Sequence, residues 1–273
     1  MPYPIAKLAY GLRCRLHDLA TPGERYRIQI AAGTPSICPP LQPKEDGLSQ
    51  ISFKNGIVTW TDQWDSETKT IEFGTDNPVY CGCVFSFYNA NAKDVASIPF
   101  SDYFIPTFDR ICLNGCNLSA SFFKKFAETD VFSNVKWFII TRNTNCEGSL
   151  NFADLLTAFP SVTYLNVHYN VPVDSTWMTD ILKVNHEHLE SISFTLTAQQ
   201  AEFLTVDDFV HFLETEMKLR GKAFRMTIEI PHFAEKIKNL LDKLNEAKNN
   251  RVASGEYVKL CIRSGSRDYN ITF

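Results

Sequence analysis

A short apolar string, apolar-x-x-apolar-x-apolar, recurs in this chain at a fixed step, and no other feature constrains the fold as strongly. Its anchor residues Ile111, Phe138, Leu165 and Ile192 are each 27 residues apart. A fixed period in the twenties is typical of stacked-repeat architectures, in which each unit buries its apolar face against the next one. The recurrence therefore predicts a repeat array over residues 107–273.

The ninth position of each unit carries a short polar side chain, namely Cys116, Asn143, Asn170 and Thr197. Such a side chain can bond backbone groups where the chain leaves its strand, and leucine-rich repeats normally place Asn or Cys there. Residues 107–273 thus resemble a leucine-rich-repeat array. An ordinary α/β domain whose spacing agrees by chance is the alternative, and the three equal steps together with the ninth position favour the repeat.

Each predicted strand is followed by apolar residues three and four positions apart, which is the spacing of one helix face. The helix-forming sets are Phe122, Phe123 and Phe126; Leu155, Leu156 and Phe159; Met178, Ile181 and Leu182; Val206, Phe209, Val210, Leu213 and Met217; and Phe233, Ile237, Leu240, Leu241 and Leu244. Regular alternation of strand and helix predicts an α/β fold, a β-α solenoid whose parallel sheet has helices along one side. The other face of that sheet is expected to stay open.

Alternate residues of each strand should line this open face, because successive side chains point to opposite sides of a sheet. Aromatic and Arg side chains among small polar ones are typical of a protein interaction surface. The residues predicted to contact a partner are Trp137, Ile139, Tyr164, Asn166, His168 and Arg225. The alternative is that the preceding β segment or a loop covers Trp137 and Ile139.

Residues 1–33 carry two short helical patterns joined by a tight corner. Leucines at positions 8, 12, 16 and 19 follow helical spacing, and Thr21-Pro22 ends that helix and begins the next. Glu24 lies three residues after Thr21, which predicts a capping box. Two helices this small cannot bury much surface by themselves, so they need a partner.

This segment resembles an F-box, in which a leucine-rich helix, a corner with an acidic residue and a second apolar helix follow one another. Ala9 stands where that family prefers Pro, and no clear third helix with a Cys-Arg-x-Trp ending follows. The stretch Pro4–Ala32 is similar to the opening of a nematode-restricted group of F-box-like proteins, through its Tyr-Gly-Leu-Arg and Ala-Thr-Pro-x-Glu-Arg-Tyr strings.

The resemblance implies docking on a Skp-type adaptor of a cullin–RING ubiquitin ligase, while the repeats select an unknown protein substrate. The residues implied to bind the adaptor are Leu8, Leu12, Leu16, Leu19, Pro22 and Ile28. Another interpretation of the two helices is a cap that hides the first apolar face of the array. A stand-alone interaction or inhibitor scaffold without a ligase link is the competing function.

Between these regions, residues 34–47 are rich in Pro and polar groups and are expected to form an extended linker. Residues 48–106 are expected to form an antiparallel β lead-in. Asn55-Gly56 between two β-rich runs indicates a hairpin, further strands are predicted at 70–73 and 79–88, and 92–106 should link to the first repeat. From position 50 to 88 there is scarcely enough chain for a separate core, so the lead-in should continue the sheet of the array.

The composition favours a protein partner over nucleic acid. The net charge of −4 lacks the broad positive field that nucleic-acid binders usually use. No stretch has the length and apolarity of a membrane span or a signal peptide, so a cytoplasmic or nuclear protein without membrane contact is expected.

We find no sequence motif of catalysis, so the chain is expected not to be an enzyme and to need no cofactor. The eight cysteines are expected as thiols in a reducing compartment, and their spacing does not match a structural zinc site, so no metal is expected. His186 and His188 flank Glu187 in a loop and are expected to face solvent.

Overall fold

The computed structural model describes residues 7–34, 37–62, 67–74, 76–141, 149–168, 171–184, 186–196, 205–220, 224–229, 242, 246, 258–264 and 267–272. It is a mixed α/β structure with one eleven-stranded, mostly parallel sheet and helices between the strands. Among these residues, no helix combines the length and the apolar character that crossing a membrane requires.

The strands follow one another across the sheet with few exceptions. They are β1 (Lys44–Lys54), β2 (Ile57–Asp62), β3 (Thr68–Thr70), β4 (Val79–Tyr88), β5 (Arg110–Asn114), β6 (Trp137–Thr141), β7 (Tyr164–Val167), β8 (Ser191–Thr195), β9 (Phe224–Glu229), β10 (Val258–Ser264) and β11 (Arg267–Thr272). The order across the sheet is β11-β10-β9-β8-β7-β6-β5-β4-β1-β2-β3. Strands β4 to β10 are parallel neighbours, β1 joins β4 in parallel, and β2, β3 and β11 pair antiparallel.

Helices lie in the described connections between consecutive parallel strands from β4 to β9. The described helices are α1 (Tyr10–Leu19), α2 (Pro22–Ala32), α3 (Ala92–Ser97), α4 (Phe100–Tyr103), α5 (Ala120–Ala127), α6 (Phe152–Ala158), α7 (Trp177–Lys183) and α8 (Val206–Arg220), with a 3₁₀ turn at Asp130–Phe132. The helices α3, α5, α6, α7 and α8 contact one another in that order and so form a layer. The helix predicted from Phe233 to Leu244 lies outside the described residues, apart from the isolated helical position 242.

The 27-residue step places the anchor residues directly opposite one another. Ile111 pairs with Phe138, Phe138 with Leu165, and Leu165 with Ile192. The same column continues through Met226 to Leu260, and in the other direction through Phe85 to Ile51. All eight side chains are buried. The predicted register is thus confirmed for the anchors, and the column extends beyond the predicted array on the side of Phe85 and Ile51.

Aromatic side chains of the helices pack on these inward-facing residues. The ring centroid of Phe126 in α5 lies 5.1 Å from that of Phe87 in an edge-to-face arrangement. The ring centroid of Phe159, which follows α6, lies 4.7 Å from that of Phe138. The ring centroids of Trp177 in α7 and Phe194 are 4.8 Å apart. Such ring pairs add to the free energy gained from apolar burial, so one continuous core fills the space between sheet and helices.

The chain leaves two strands through left-handed backbone conformations. Asn89 after β4 has φ of 52° and Gly115 after β5 has φ of 68°. The Cys116 thiol then donates to the carbonyl oxygen of Phe87 at 3.4 Å, which is the backbone contact predicted for the ninth position. The other ninth-position residues, Asn143, Asn170 and Thr197, lie outside the described residues.

The region before the array differs from its prediction in four ways. The strand predicted at 70–73 lies at Thr68–Thr70. Strand β1 begins at Lys44, so the linker assigned to 34–47 ends earlier. The hairpin is confirmed, with φ of 52° at Asn55 and 80° at Gly56, yet β1 pairs in parallel with β4 and β4 with β5, so 48–106 is not wholly antiparallel. The predicted link at 92–106 contains α3 and α4. Alternation within a strand shows its buried face and not the direction of its neighbour, which explains the error.

Candidate interaction surfaces

The face of the sheet opposite the helices presents rows of side chains, one from each strand. We call this surface the open face. Its first row consists of Gln50, Val84, Arg110, Trp137, Tyr164, Ser191 and Arg225, which are paired in register across β1 and β4 to β9. The second row consists of Ser52, Ser86, Cys112, Ile139, Asn166, Ser193 and Thr227, paired in the same way.

Three side chains of the first row stack on one another. The Arg110 guanidinium carbon lies 5.3 Å from the centroid of the Trp137 ring, within the range of a cation–π contact. The Trp137 and Tyr164 rings are stacked with centroids 4.1 Å apart and planes inclined by 22°. Neighbouring strands are about 4.8 Å apart, so side chains at matching positions meet face to face. The three residues form a ladder along the row.

The Tyr164 hydroxyl at the end of this ladder donates a hydrogen bond to the Glu190 carboxylate at 3.2 Å. This bond raises the pKa of Tyr164 above its usual value, because it favours the protonated phenol beside a negative charge. Tyr164 is therefore a neutral aromatic surface at physiological pH.

The second row carries no permanently charged side chain. Its cysteine, Cys112, has its pKa raised by burial, so the thiol stays protonated at neutral pH. The row thus offers serine, threonine and asparagine hydrogen-bonding groups around the half-buried Ile139.

The six residues predicted to bind a partner share this open face. Trp137 is 39% exposed, and Asn166, His168 and Arg225 are also exposed, whereas Ile139 and Tyr164 are half-buried. The described residues leave much of Trp137 uncovered, which argues against the alternative that the β lead-in or a loop covers it.

The leucines of α1 form a second exposed surface. The helix has no buried residue, and Leu12 and Leu19 are 55% and 75% exposed, while Leu16 is half-buried. Leu8, which was predicted to continue this stripe, lies before the helix and is half-buried. A cap for the apolar core would require these side chains to be buried within the chain. Instead, α1 presents apolar surface to solvent, which normally marks a place where another molecule docks.

Part of this surface is a groove between α1 and α2 with a volume of about 380 Å³. Three of the residues predicted to bind an adaptor, Leu16, Leu19 and Ile28, line it. The remaining lining comes from Ala20, Glu24 and Arg27, so an apolar floor is flanked by one negative and one positive side chain.

The second helix packs closely against α4 and is hydrogen-bonded to it. The capping box of Thr21 and Glu24 starts α2 as predicted. Gly23 faces α4 so closely that a Cβ atom there would come within 2.9 Å of the Asp102 carbonyl oxygen. The Arg27 guanidinium donates to the Ser101 carbonyl oxygen at 2.7 Å. The groove therefore has one fixed wall.

A buried glutamine ties α2 to the segment before β1. The Gln29 side chain donates to the carbonyl oxygens of Cys38 and Pro40 at 2.6 and 2.9 Å and accepts from the Gln42 backbone N–H at 3.0 Å. The backbone of residues 38–42 is thus hydrogen-bonded to α2, so this part of the predicted extended linker 34–47 is attached to the helix.

The prediction that Pro22 contacts an adaptor is wrong. It is buried at the start of α2, next to the contact with α4, so it supports the helix and is not available for docking. Helix α1 is joined to α2 through His17, whose Nε2 lies 2.8 Å from the Arg25 guanidinium.

His186 contradicts the expectation that both loop histidines face solvent. Its side chain is buried, with Nε2 3.0 Å from a carboxylate oxygen of Glu216 in α8 and Nδ1 against the carbonyl oxygen of Val184. His188 is exposed. The pairing could not be read from the sequence, because Glu216 lies 30 positions away on another element.

Within the part of the chain that the structure describes, no three His, Cys, Asp or Glu side chains form a potential metal-binding cluster. Comparison with protein-family models, with curated proteins and with solved structures finds no match for this chain. A functional proposal therefore depends on the two surfaces themselves.

Proposed function

We propose that this protein is a non-enzymatic recognition protein, the substrate receptor of a cullin–RING ubiquitin ligase, with two separate docking surfaces. The groove and leucines of α1 and α2 bind a Skp-type adaptor, and the open face binds a protein substrate. The observation that carries the proposal is the unburied leucine surface of α1, because an intrachain cap would not leave Leu12 and Leu19 in solvent.

The position of α2 supports a receptor role. The contacts of Gly23, Arg27 and Gln29 attach the helix to α4 and to the segment before β1. A partner docked on α1 and α2 would thus be held at a defined orientation to the sheet. A receptor requires this because the ligase must be presented to the bound substrate.

The repeat-like architecture supports the second surface. We propose that β4 to β10 and their helices form a leucine-rich-repeat-like solenoid. The in-register apolar column and the Cys116 contact to the preceding strand are what such an array requires. Stacked repeats characteristically use their uncovered strand face for binding.

Co-purification of the full chain with a Skp-type adaptor tests the proposal. We expect wild type to bind and a Leu12→Glu, Leu19→Glu variant to lose binding, because the introduced carboxylates would be desolvated on docking. Ile57→Glu is the matched control, since Ile57 is 52% exposed on β2, far along the chain from α1. That control should bind like wild type.

Thermal unfolding distinguishes the competing role as a scaffold without a ligase link. Both leucines are exposed, so the double variant should melt within a few degrees of wild type. Absence of adaptor binding by wild type, together with a double variant that fails to fold, would assign α1 a capping role and leave the scaffold function.

A further inference from the structure

The ladder of the first row stops at Ser191 and resumes with a cation at Arg225. Tyr164 pairs with Ser191, and Ser191 pairs with Arg225. Along this row the side chains of Arg110, Trp137, Tyr164, Ser191 and Arg225 therefore follow one another. From Arg110 to Arg225, Ser191 is the position at which the row lacks a large side chain.

The dimensions of this gap fit one planar ring. Tyr164 and Arg225 are separated by two strand spacings, or about 10 Å. A ring stacked about 4.5–5 Å from Tyr164 would leave a similar distance to the Arg225 guanidinium, within the range of a cation–π contact. Ser191 and Ser193 would form the floor beneath it.

The charges of the neighbouring side chains determine whether a cationic or a neutral aromatic ring suits this gap. The first row contains two guanidinium groups, and the Glu190 carboxylate beside it accepts the hydrogen bond of the Tyr164 hydroxyl. Among the described residues, the salt bridges formed include neither Arg110 nor Arg225. A cationic guest would meet Arg225 unfavourably, whereas the electron-rich face of an aromatic ring is attracted to it.

We propose that the gap at Ser191 receives an aromatic side chain from an extended, acidic segment of the protein substrate. This inference rests on the proposed function of the open face, and it names the class of segment that the face selects. The inserted ring completes a stack of five groups, from Arg110 through Trp137, Tyr164 and the guest to Arg225.

Arg110 adds a second determinant to the guest segment. It lies three strand spacings, about 14 Å, from the Ser191 position along the row. An extended chain rises about 3.3 Å per residue, so about four residues span that distance, and side chains four positions apart face the same side. An acidic residue four positions from the aromatic one therefore reaches Arg110, where it forms a charge-assisted hydrogen bond.

A protein segment is favoured over single-stranded nucleic acid, whose bases could also stack on the ladder. The chain carries a net charge of −4, and the second row offers no cation for a phosphate backbone. Uncharged serine, threonine and asparagine side chains instead suit the backbone groups of an extended peptide.

Selection from a random twelve-residue peptide library on the full wild-type chain tests the proposal. Enriched peptides should carry an aromatic residue and an acidic residue four positions apart. Ser191→Tyr, which fills the gap with a ring of the chain itself, should weaken their binding by more than about tenfold. Arg225→Ala should weaken it about three- to tenfold.

Ser121→Tyr is the matched control, because Ser121 is exposed on α5 in the helix layer. It should bind the selected peptides like wild type, and far-ultraviolet circular dichroism should show all three variants folded. The Leu12→Glu, Leu19→Glu variant should also keep peptide binding, so loss of the adaptor and loss of the peptide are separate results.

Three results would overturn the inference. These are the absence of any enriched peptide, enrichment without an aromatic residue, and equal binding of the selected peptides by wild type and Ser191→Tyr. A fifteen-nucleotide oligo-dT that binds wild type and loses binding in Ser191→Tyr would assign the gap to a nucleobase and contradict a protein guest.

Discussion

The buried pair of His186 and Glu216 shows how single residues decide stability in this fold. The Glu216 carboxylate is fully buried, and the imidazole of His186 lies within hydrogen-bond distance of both of its oxygens. A buried charge is tolerated when it is paired, and it is costly when its partner is removed. The pair joins the segment before β8 to α8.

We expect His186→Ala to lower the free energy of unfolding by about 3–5 kcal/mol, because Glu216 would lose this partner inside the protein. Urea denaturation monitored by circular dichroism measures the change. His188→Ala is the matched control, since His188 is exposed and should change stability by less than about 0.5 kcal/mol. Equal midpoints for the two variants would contradict the buried pairing.

The two N-terminal helices each have a glycine at their second position, but these two glycines have different surroundings. A Cβ atom added at Gly11 of α1 would meet no neighbouring atom within 4 Å, whereas one added at Gly23 of α2 would meet the carbonyl groups of Ser101 and Asp102. The first helix therefore stands free along that side, and the second depends on close approach to α4.

We expect the substitutions Gly11→Ala and Gly23→Ala to have opposite effects. In α1, Ala should stabilise the helix by at most about 1 kcal/mol, because the added methyl group meets no neighbouring atom. In α2, the added methyl group should displace the helix from α4 at a cost of about 1–3 kcal/mol, despite the better helix propensity of Ala. Hydrogen exchange of the α2 amides measures the difference. Unchanged protection in Gly23→Ala would refute the close packing.

Several elements could be predicted from neighbouring residues alone, whereas a strand pairing between distant residues could not. The Asn55-Gly56 turn and the capping box of α2 depend on neighbouring residues, so both could be predicted. Helix α3 was missed although Asn91 and Asp94 form a capping box that reveals its start. The parallel pairing of β1 with β4 depends on residues more than thirty positions apart, and no local pattern encodes it.

At the scale of the whole molecule, one apolar column runs from Ile51 to Leu260 through the sheet. The sequence period predicted its central part, since equal steps bring equivalent residues into register. The open face could be predicted from alternation for the same reason. The gap at Ser191 could be recognised only after the register placed it between Tyr164 and Arg225.

We expect Leu165→Asp to unfold the protein, because it places a carboxylate among Phe138, Ile192 and the helix layer, at a cost above about 4 kcal/mol. The adjacent Asn166→Asp is the matched control, since Asn166 is exposed on the open face and should change stability by less than about 0.5 kcal/mol. Thermal melting compares the two. A folded Leu165→Asp variant with a wild-type melting temperature would disprove the register.

We propose that this chain connects an adaptor to a protein segment through two separate surfaces. Ubiquitin transfer in a reconstituted cullin–RING ligase that contains the Skp-type adaptor, this chain and a selected peptide bearing a lysine measures this connection directly. Wild type should support transfer. The Leu12→Glu, Leu19→Glu double variant should abolish it through loss of the adaptor, and Ser191→Tyr should lower it by more than about tenfold through weaker peptide binding. Binding of both partners by wild type without any transfer of ubiquitin would contradict the proposed role as a substrate receptor.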